Sequence, residues 1–477
     1  MSDHILFDSL GTDLSSGITL IEASAGTGKT FAISMLILRA VTELEIRVDQ
    51  LLVLTFTVAA TEELRERIRT RFESARKLLA GKSVEEVDEV LARWAQNVSD
   101  KKRYLLLLEE ALLDIDQAAI FTIHGFCHRM LSEQPLETGQ LFEVELTSKT
   151  DQHIAQLARD FWRNTIYPLS PHLCGLVVSR YYTPELLYQS VQGWGDRSTK
   201  VIPSLRGIDS TIDEVEHRFR LLSSWWQENK VRLIEVLQET VAGNYWKKDF
   251  SDSLTTRFQH LTTLFVSTKL PSARDLEWLT LEKLQGALKK TRLKGDEKRS
   301  DFLRSIPLPG SLLTTYLDSA EHFILEIRHQ LIDYIQTHLP ITLQSSGKIS
   351  FADLIDKLAE AVRSKDGRWV RKRIQERFRL ICVDEFQDTD ALQWYILYQL
   401  FGASNHYLYI IGDPKQAIYR FRGADIHTYY EARQMAGNRL TLQKNFRSHP
   451  RIIKSVNRLF QRSEFGGEPY RYVDAAK

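Results

Sequence analysis

Cysteine is scarce in the 477-residue chain: Cys127, Cys174 and Cys382 lie far apart, with no CxxC pair among them. That spacing excludes a disulfide framework and a thiolate zinc site, and it suits a reducing compartment. No apolar run reaches the roughly 18 residues that a transmembrane helix requires. The N-terminal flank, Met1–Gly11, is acidic and polar rather than basic and has no signal-peptide core. These absences point to a soluble cytoplasmic protein. Net charge is lacking as well, since 63 basic and 62 acidic residues leave +1. No global field advertises a polyanion, so any such site has to come from local clustering.

What is present reads as an ordinary globular composition, 43% apolar and 26% charged, with length for several domains. One stretch organises the rest. Ile18, Leu20 and Ile21 form a short apolar run that leads into the small residues Ala23, Ser24, Ala25, Gly26, Thr27 and Gly28. Lys29 and Thr30 follow, and then the apolar residues of a helix, Phe31, Ile33, Met35, Leu36 and Ile37. This is the strand–loop–helix order of a phosphate-binding loop. Glycine at 26 and 28 lets backbone N–H groups converge on phosphate oxygens. Lys29 can reach the β- and γ-phosphates of ATP, Thr30 can ligate Mg²⁺, and the helix dipole adds to the attraction. Ala23 stands where the GxxxxGK[ST] pattern has its first glycine.

Further along, Leu51–Thr57 reads as a second buried strand, followed by a helix over Ala59–Leu79 with Leu64, Ile68 and Phe72 at fourfold spacing. Arg65, Arg67, Arg69 and Arg71 crowd that helix, either solvated or facing a phosphate. Residues 82–118 read as helical and charged, and Ala119–His124 as a third strand that ends in the turn His124–Gly125–Phe126. From 146 to 345 amphipathic helical patterns dominate, and Trp225, Trp226, Tyr245 and Trp246 read as core. Within it, Lys283–Arg299 gathers seven basic and two acidic side chains. That cluster is either a solvated helix end or a track for a phosphate backbone. The α/β character returns near Ile349–Leu354, and strand patterns follow at Leu380–Glu385, which ends in two carboxylates, at Tyr407–Asp413 and at Leu440–Gln443. The expected fold is α/β: a P-loop NTPase (RecA-like) parallel sheet covered by helices, with a large, mostly α-helical inserted domain.

A phosphate loop that hydrolyses ATP also needs acids at a strand end. Asp384 and Glu385 supply them, the first on the metal side and the second on the water side. Gln416, three residues past Asp413, is placed to sense the γ-phosphate, and Arg447 offers a charge-neutralising guanidinium. Tyr419, Arg420, Phe421 and Arg422 interleave aromatic and basic residues, and Phe56 sits at a strand end. That combination suits single-stranded nucleic acid, which wants stacking platforms beside a basic groove. Core packing is the other reading of each aromatic.

Taken in order, ASAGTGKT, LTFTVAATEELRERI, FTIHGFC, VDEFQDTD, IGDPKQAIYRFRGAD and LQKNFRS resemble motifs I, Ia, Ib, II, III and IV of superfamily 1A, the UvrD/Rep-type DNA helicases. IEASAGTGKT, FTIHGFCHRML, GDPKQAIYRFRGADI and ALQWYILYQLF look most like the exodeoxyribonuclease V beta-subunit branch. The resemblance implies an ATP- and Mg²⁺-dependent 3′→5′ translocase acting on DNA ends, in company with exodeoxyribonuclease V gamma and alpha subunits. It implies motor domain 1A over 1–145 and 346–450, helical domain 1B over 146–345, and the start of a second motor domain over 451–477. By motif position it assigns residues 23–30 to the nucleotide, Thr30 and Asp384 to the metal, and Glu385 to the attacking water. Gln416 and Arg447 fall on the γ-phosphate, and Phe56, His124, Tyr419, Phe421 and Arg422 along the single strand. No adenine-reading glutamine occurs in Phe7–Gly17, and the sequence motifs V and VI are not present. Weak turnover by the 477 residues alone is therefore expected. A non-motor P-loop module that uses ATP to gate a protein–protein contact is the alternative, and it predicts nucleotide affinity indifferent to DNA.

Overall fold

A computed structural model describes residues 5–84, 88–133, 145–147, 149–192, 207–267, 270–364, 367–402, 405–419, 424–465, 468–469 and 474–475. Its strongest organising feature is a seven-stranded sheet made of β1 (Ile5–Leu6), β2 (Gly17–Ala23), β3 (Leu51–Thr55), β4 (Ala119–Thr122), β5 (Leu380–Val383), β6 (Tyr407–Gly412) and β7 (Asn438–Leu442). The strand order is β1-β7-β2-β6-β5-β3-β4, and each pairing in it is parallel. Every residue of β3 and β5 is buried. Continuous burial is what a parallel sheet with both faces covered requires, and it explains why these strands read as unbroken apolar runs.

Alternation along β2 divides the core into two layers. Ile21 and Ala23 pack with Ala32, Ile33 and Leu36 of α1 (Lys29–Glu43) and with Leu64, Ile68 and Phe72 of α2 (Val58–Leu79). Ile18 and Leu20 face the opposite layer, built from Leu358, Trp394, Leu397 and Tyr429. The helices of that layer span Phe351–Arg363, Ala391–Phe401 and Ile426–Met435. The sheet and both layers belong to one compact unit, Met1–Leu146 with Ile349–Lys477.

A second unit, Thr147–Lys348, is interpolated in the chain. Two 35-residue helices, Ile208–Ala242 and Ser311–Ser345, run through it. Its core includes Trp226, Trp246, Tyr316, Phe323 and Leu331, with Trp246 stacked on Phe250 at 4.4 Å between ring centroids. The tryptophan pairs read as core are so: Trp226 and Trp246 are buried, and Trp225 and Tyr245 pack against the same cluster. In the basic stretch 283–299, Lys289 donates to Asn244, Arg299 pairs with Asp296, and Lys283, Lys290, Arg292, Lys294 and Lys298 are exposed.

Three local readings are revised. The chain does not turn at His124–Gly125–Phe126. These residues open the helix Ile123–Glu133, and the Thr122 hydroxyl accepts from Gly125 N–H at 3.1 Å. The arginines of α2 are engaged within the protein: Arg67 with Glu63, Arg69 with Asp116, Arg71 with Asp88, and Arg65 donating to the Ile120 carbonyl. The edge strand β1 is an addition, too short and too exposed to carry a periodic signal. Among the described residues, no helix is long and apolar enough to cross a membrane.

Candidate nucleotide site and single-strand platform

The site lies at the carboxyl ends of β2, β3, β5 and β6, where parallel sheets hold their ligands. Ala23 ends β2, and Ser24–Gly28 form the loop into α1. The Ser24 carbonyl accepts from both the Thr27 N–H and the Thr27 hydroxyl, at 3.2 and 2.7 Å, which closes the turn. Gly28 caps α1 at φ 87°; no side chain caps the helix and no acid sits in its first turn. The leading N–H groups of a long buried helix therefore point into the loop with no side-chain cap or first-turn acid beside them, an arrangement suited to an anion.

Gly26 has a second reason to be glycine besides its φ of 77°: a Cβ there would stand 2.8 Å from both the Arg447 Cβ and the Asn445 Nδ2. The segment Asn445–Ser448 grips the loop. Asn445 Nδ2 donates to the Ala25 carbonyl at 2.7 Å, and Phe446 N–H donates to the Gly26 carbonyl at 2.8 Å. The Asn445 Oδ1 accepts from Arg447 and Ser448 N–H at 2.9 and 2.8 Å. Arg447 is thus fixed beside the loop by a neighbour that sequence reasoning passed over. A buried asparagine between two charged or aromatic residues carries no local signal of such a role.

Lys29 forms an ion pair with Glu385, the second acid after β5. Glu385 holds a left-handed backbone conformation at φ 50°, a strained state that non-glycine residues keep where the surroundings demand it. Its N–H donates to Asp384 Oδ1 at 2.9 Å, while Asp384 N–H donates to the Leu54 carbonyl at 2.9 Å and so ties the acids to β3. Withdrawal from water, with the Glu385 charge alongside, pushes the Asp384 carboxyl up from its ordinary 3.8 to about 6. Two acids crowded in this way are relieved by a cation.

Gln387, 2% exposed, joins the acids to the next strand. Its Nε2 donates to Glu385 at 2.7 Å and its Oε1 accepts from Asp413 N–H at 3.0 Å. A Cβ on Gly412 would come within 2.7 Å of that same Oε1. Asp413 in turn accepts from Gln416 Nε2 at 2.9 Å and from Lys415 Nζ at 2.9 Å. Gln416 is therefore held at the end of a chain of contacts running Lys29–Glu385–Gln387–Asp413–Gln416. Gln387 was also missed, because only the fold brings it against β6.

The structure brings Phe56 and Tyr419 together from opposite ends of the sequence. Their rings stack at 5.7 Å with 19° between planes. A crevice lined by Thr55, Phe56, Ile123, Asp384, Glu385 and Thr389 sets Phe56 beside the acids at the carboxyl end of the sheet. His124, in the first turn of its helix, meets Phe351 edge to face at 5.4 Å, and burial pulls its imidazole below the ordinary histidine range. Phe421 and Arg422 lie outside the described residues.

The glycine loop, the acid pair tied to it and the stacked aromatic pair thus lie at the carboxyl end of the sheet, and comparison with known proteins gives the chain a family. The description "UvrD/REP helicase N-terminal domain" matches residues 11–436. The RecBCD enzyme subunit RecB of Escherichia coli is 32% identical over 470 residues, covering 94% of this chain and 38% of that protein. Its Haemophilus influenzae counterpart is 30% identical, covering 95% of this chain and 40% of the relative. The Chlamydia trachomatis protein of the same name is 28% identical, covering 93% and 42%. The chain thus spans about two fifths of the length of these relatives. With nine-tenths of its length matched, the chain belongs to the UvrD/REP helicase family.

Proposed function

We propose that these residues form the ATP- and single-strand-binding core of a 3′→5′ DNA helicase of the RecBCD type, which processes DNA ends during double-strand break repair in the bacterial cytoplasm. The unit carrying the sheet would be motor domain 1A, and the helical unit would be domain 1B. The exodeoxyribonuclease V gamma and alpha subunits would be partners of the full-length protein.

The observation that carries this reading is the Lys29–Glu385–Gln387–Asp413–Gln416 chain at the mouth of the glycine loop. On ATP binding, Lys29 exchanges its carboxylate partner for the β- and γ-phosphates, which frees Glu385 to hold the attacking water and take its proton. The backbone N–H groups of residues 24–30 embrace the phosphates. Gln416 and Arg447 contact the γ-phosphate, where charge develops. The Thr30 hydroxyl and the Asp384 carboxylate are hard oxygens suited to Mg²⁺. Among the described residues no cluster of three or more His, Cys, Asp or Glu forms an all-protein cage, as befits an ion shared with phosphates and water. Magnesium, when bound, supplies charge neutralisation at the phosphates. Phe56, Tyr419 and Phe421 offer faces to successive bases, with His124 and Arg422 beside the strand. Turnover by the 477 residues alone is expected to be slow.

The test is equilibrium binding of a fluorescent oligothymidylate and of a magnesium–ATP analogue to the whole chain. Binding of both is the expected result. Nucleotide binding with no affinity for the oligonucleotide would overturn the reading in favour of an ATP-gated protein contact.

A further inference from the structure

Glu22 stands one residue before the end of β2, in register with Gly412 of β6 on one side and Thr441 of β7 on the other. It is 7% exposed. Alternation along the strand turns it toward the layer that holds Ile18 and Leu20. There it meets Arg433, 8% exposed, at 3.2 Å from Nε to Oε1. Arg433 lies on the helix Ile426–Met435, whose Tyr429 and Ala432 pack into the same layer. A carboxylate and a guanidinium are thus buried together between β2 and this helix, with the neighbouring strand positions occupied by Gly412 and Thr441.

Stability does not account for the pair. Each ion loses several kcal/mol of hydration on burial, and an apolar pair of similar volume commonly serves as well or better. What the pair does is bring opposite charges on β2 and on this helix together. Glu22 is joined to the phosphate loop through Ala23, and the helix of Arg433 follows the segment that begins with the stacking Tyr419. The pair therefore joins the strand that leads into the phosphate loop to the helix that follows Tyr419 in sequence.

We propose that Glu22 and Arg433 are positioning residues that couple nucleotide occupancy of the loop 23–30 to the grip of the Tyr419 platform on a single strand. This rests on the function proposed above. The experiment compares the parent chain with the apolar double variant Glu22→Leu/Arg433→Met and with Arg433→Lys, which keeps the charge but moves it. Oligothymidylate affinity is measured with and without a magnesium–ATP analogue, beside thermal denaturation and hydrogen exchange of the Ile426–Met435 amides.

In the parent, nucleotide shifts oligonucleotide affinity by about fivefold or more, the low end of ordinary coupling between sites. The double variant binds each ligand alone as the parent does and melts close to it. Its affinity ratio falls to one, and exchange in the helix stops responding to nucleotide. Arg433→Lys, folded throughout, reduces the ratio in part. A double variant or Arg433→Lys protein that keeps the full ratio overturns the coupling. A parent that binds both ligands with no ratio also overturns it, while leaving the proposed function intact. A parent that binds neither ligand overturns both.

Discussion

Replacing Asn445 with alanine probes the loop most sharply, because this one side chain, 6% exposed, satisfies three backbone groups at once. Its amide donates to Ala25 at 2.7 Å and its oxygen accepts from Arg447 and Ser448 at 2.9 and 2.8 Å. Alanine leaves one carbonyl and two N–H groups without those partners. Each buried group so stranded costs about 1–3 kcal/mol, and the low end applies where water can enter beside the loop. The sum is about 3 kcal/mol against the phosphate-binding conformation, with Arg447 released from its place. At 1.4 kcal/mol per decade, nucleotide affinity should fall by about tenfold to a hundredfold. The assay is titration with a fluorescent magnesium–ATP analogue, with a thermal melt confirming that the sheet persists. Asn445→Asp keeps both acceptor bonds but sets a charged oxygen against the Ala25 carbonyl and beside the loop, so it should also weaken nucleotide binding clearly. An alanine variant within twofold of the parent would refute the reasoning.

Gly26→Ala forces a left-handed φ of 77° on a residue with a Cβ and drives that atom to 2.8 Å from Arg447 and Asn445. The backbone term alone is about 1–2 kcal/mol, so nucleotide titration should show at least a roughly tenfold loss. Phe56→Ala and Tyr419→Ala should each weaken oligothymidylate binding by about 1–3 kcal/mol and leave nucleotide affinity unchanged, as read by fluorescence anisotropy. Asp384→Asn should stabilise the nucleotide-free fold while abolishing magnesium-dependent nucleotide binding. The rise from 3.8 to about 6 corresponds to roughly 2–3 kcal/mol of unfavourable ionisation, of which asparagine recovers a part. With the folded pKa above the unfolded one, that gain is absent below pH 4 and complete above pH 6. Denaturant melts at the two pH values check it.

Sequence patterns reached the parts of this protein whose signals are local. Buried parallel strands such as Leu380–Val383 are unbroken apolar runs, and Lys29, Thr30, Asp384 and Glu385 stand at fixed offsets from strand ends. The motifs assigned Phe56 and Tyr419 separately to the single strand, and the stacking of one ring on the other is a contact that only the fold supplies. The connectors escaped. Gln387, Asn445 and the Glu22–Arg433 pair act across long stretches of chain, and only the closure of the sheet gives them partners. The arginines of α2 looked available for phosphate because their partners, Asp88, Asp116 and the Ile120 carbonyl, arrive from later elements. The helix at Ile123 looked like a turn because its cap is the hydroxyl of Thr122, itself the last residue of β4.

Glu385 carries the central claim, since the same carboxylate that holds Lys29 in the nucleotide-free site is assigned the attacking water once ATP is bound. The direct measurement is ATP hydrolysis, with and without single-stranded DNA, by the whole chain and by its Glu385→Gln variant, beside a nucleotide titration of each. The account predicts that the variant binds the magnesium–ATP analogue about as tightly as the parent. Its hydrolysis, whatever the parent's basal rate, should be lower by roughly 10²–10⁴, the usual contribution of a positioned general base. Hydrolysis at the parent's rate in the variant would contradict the account and move the catalytic base to another residue.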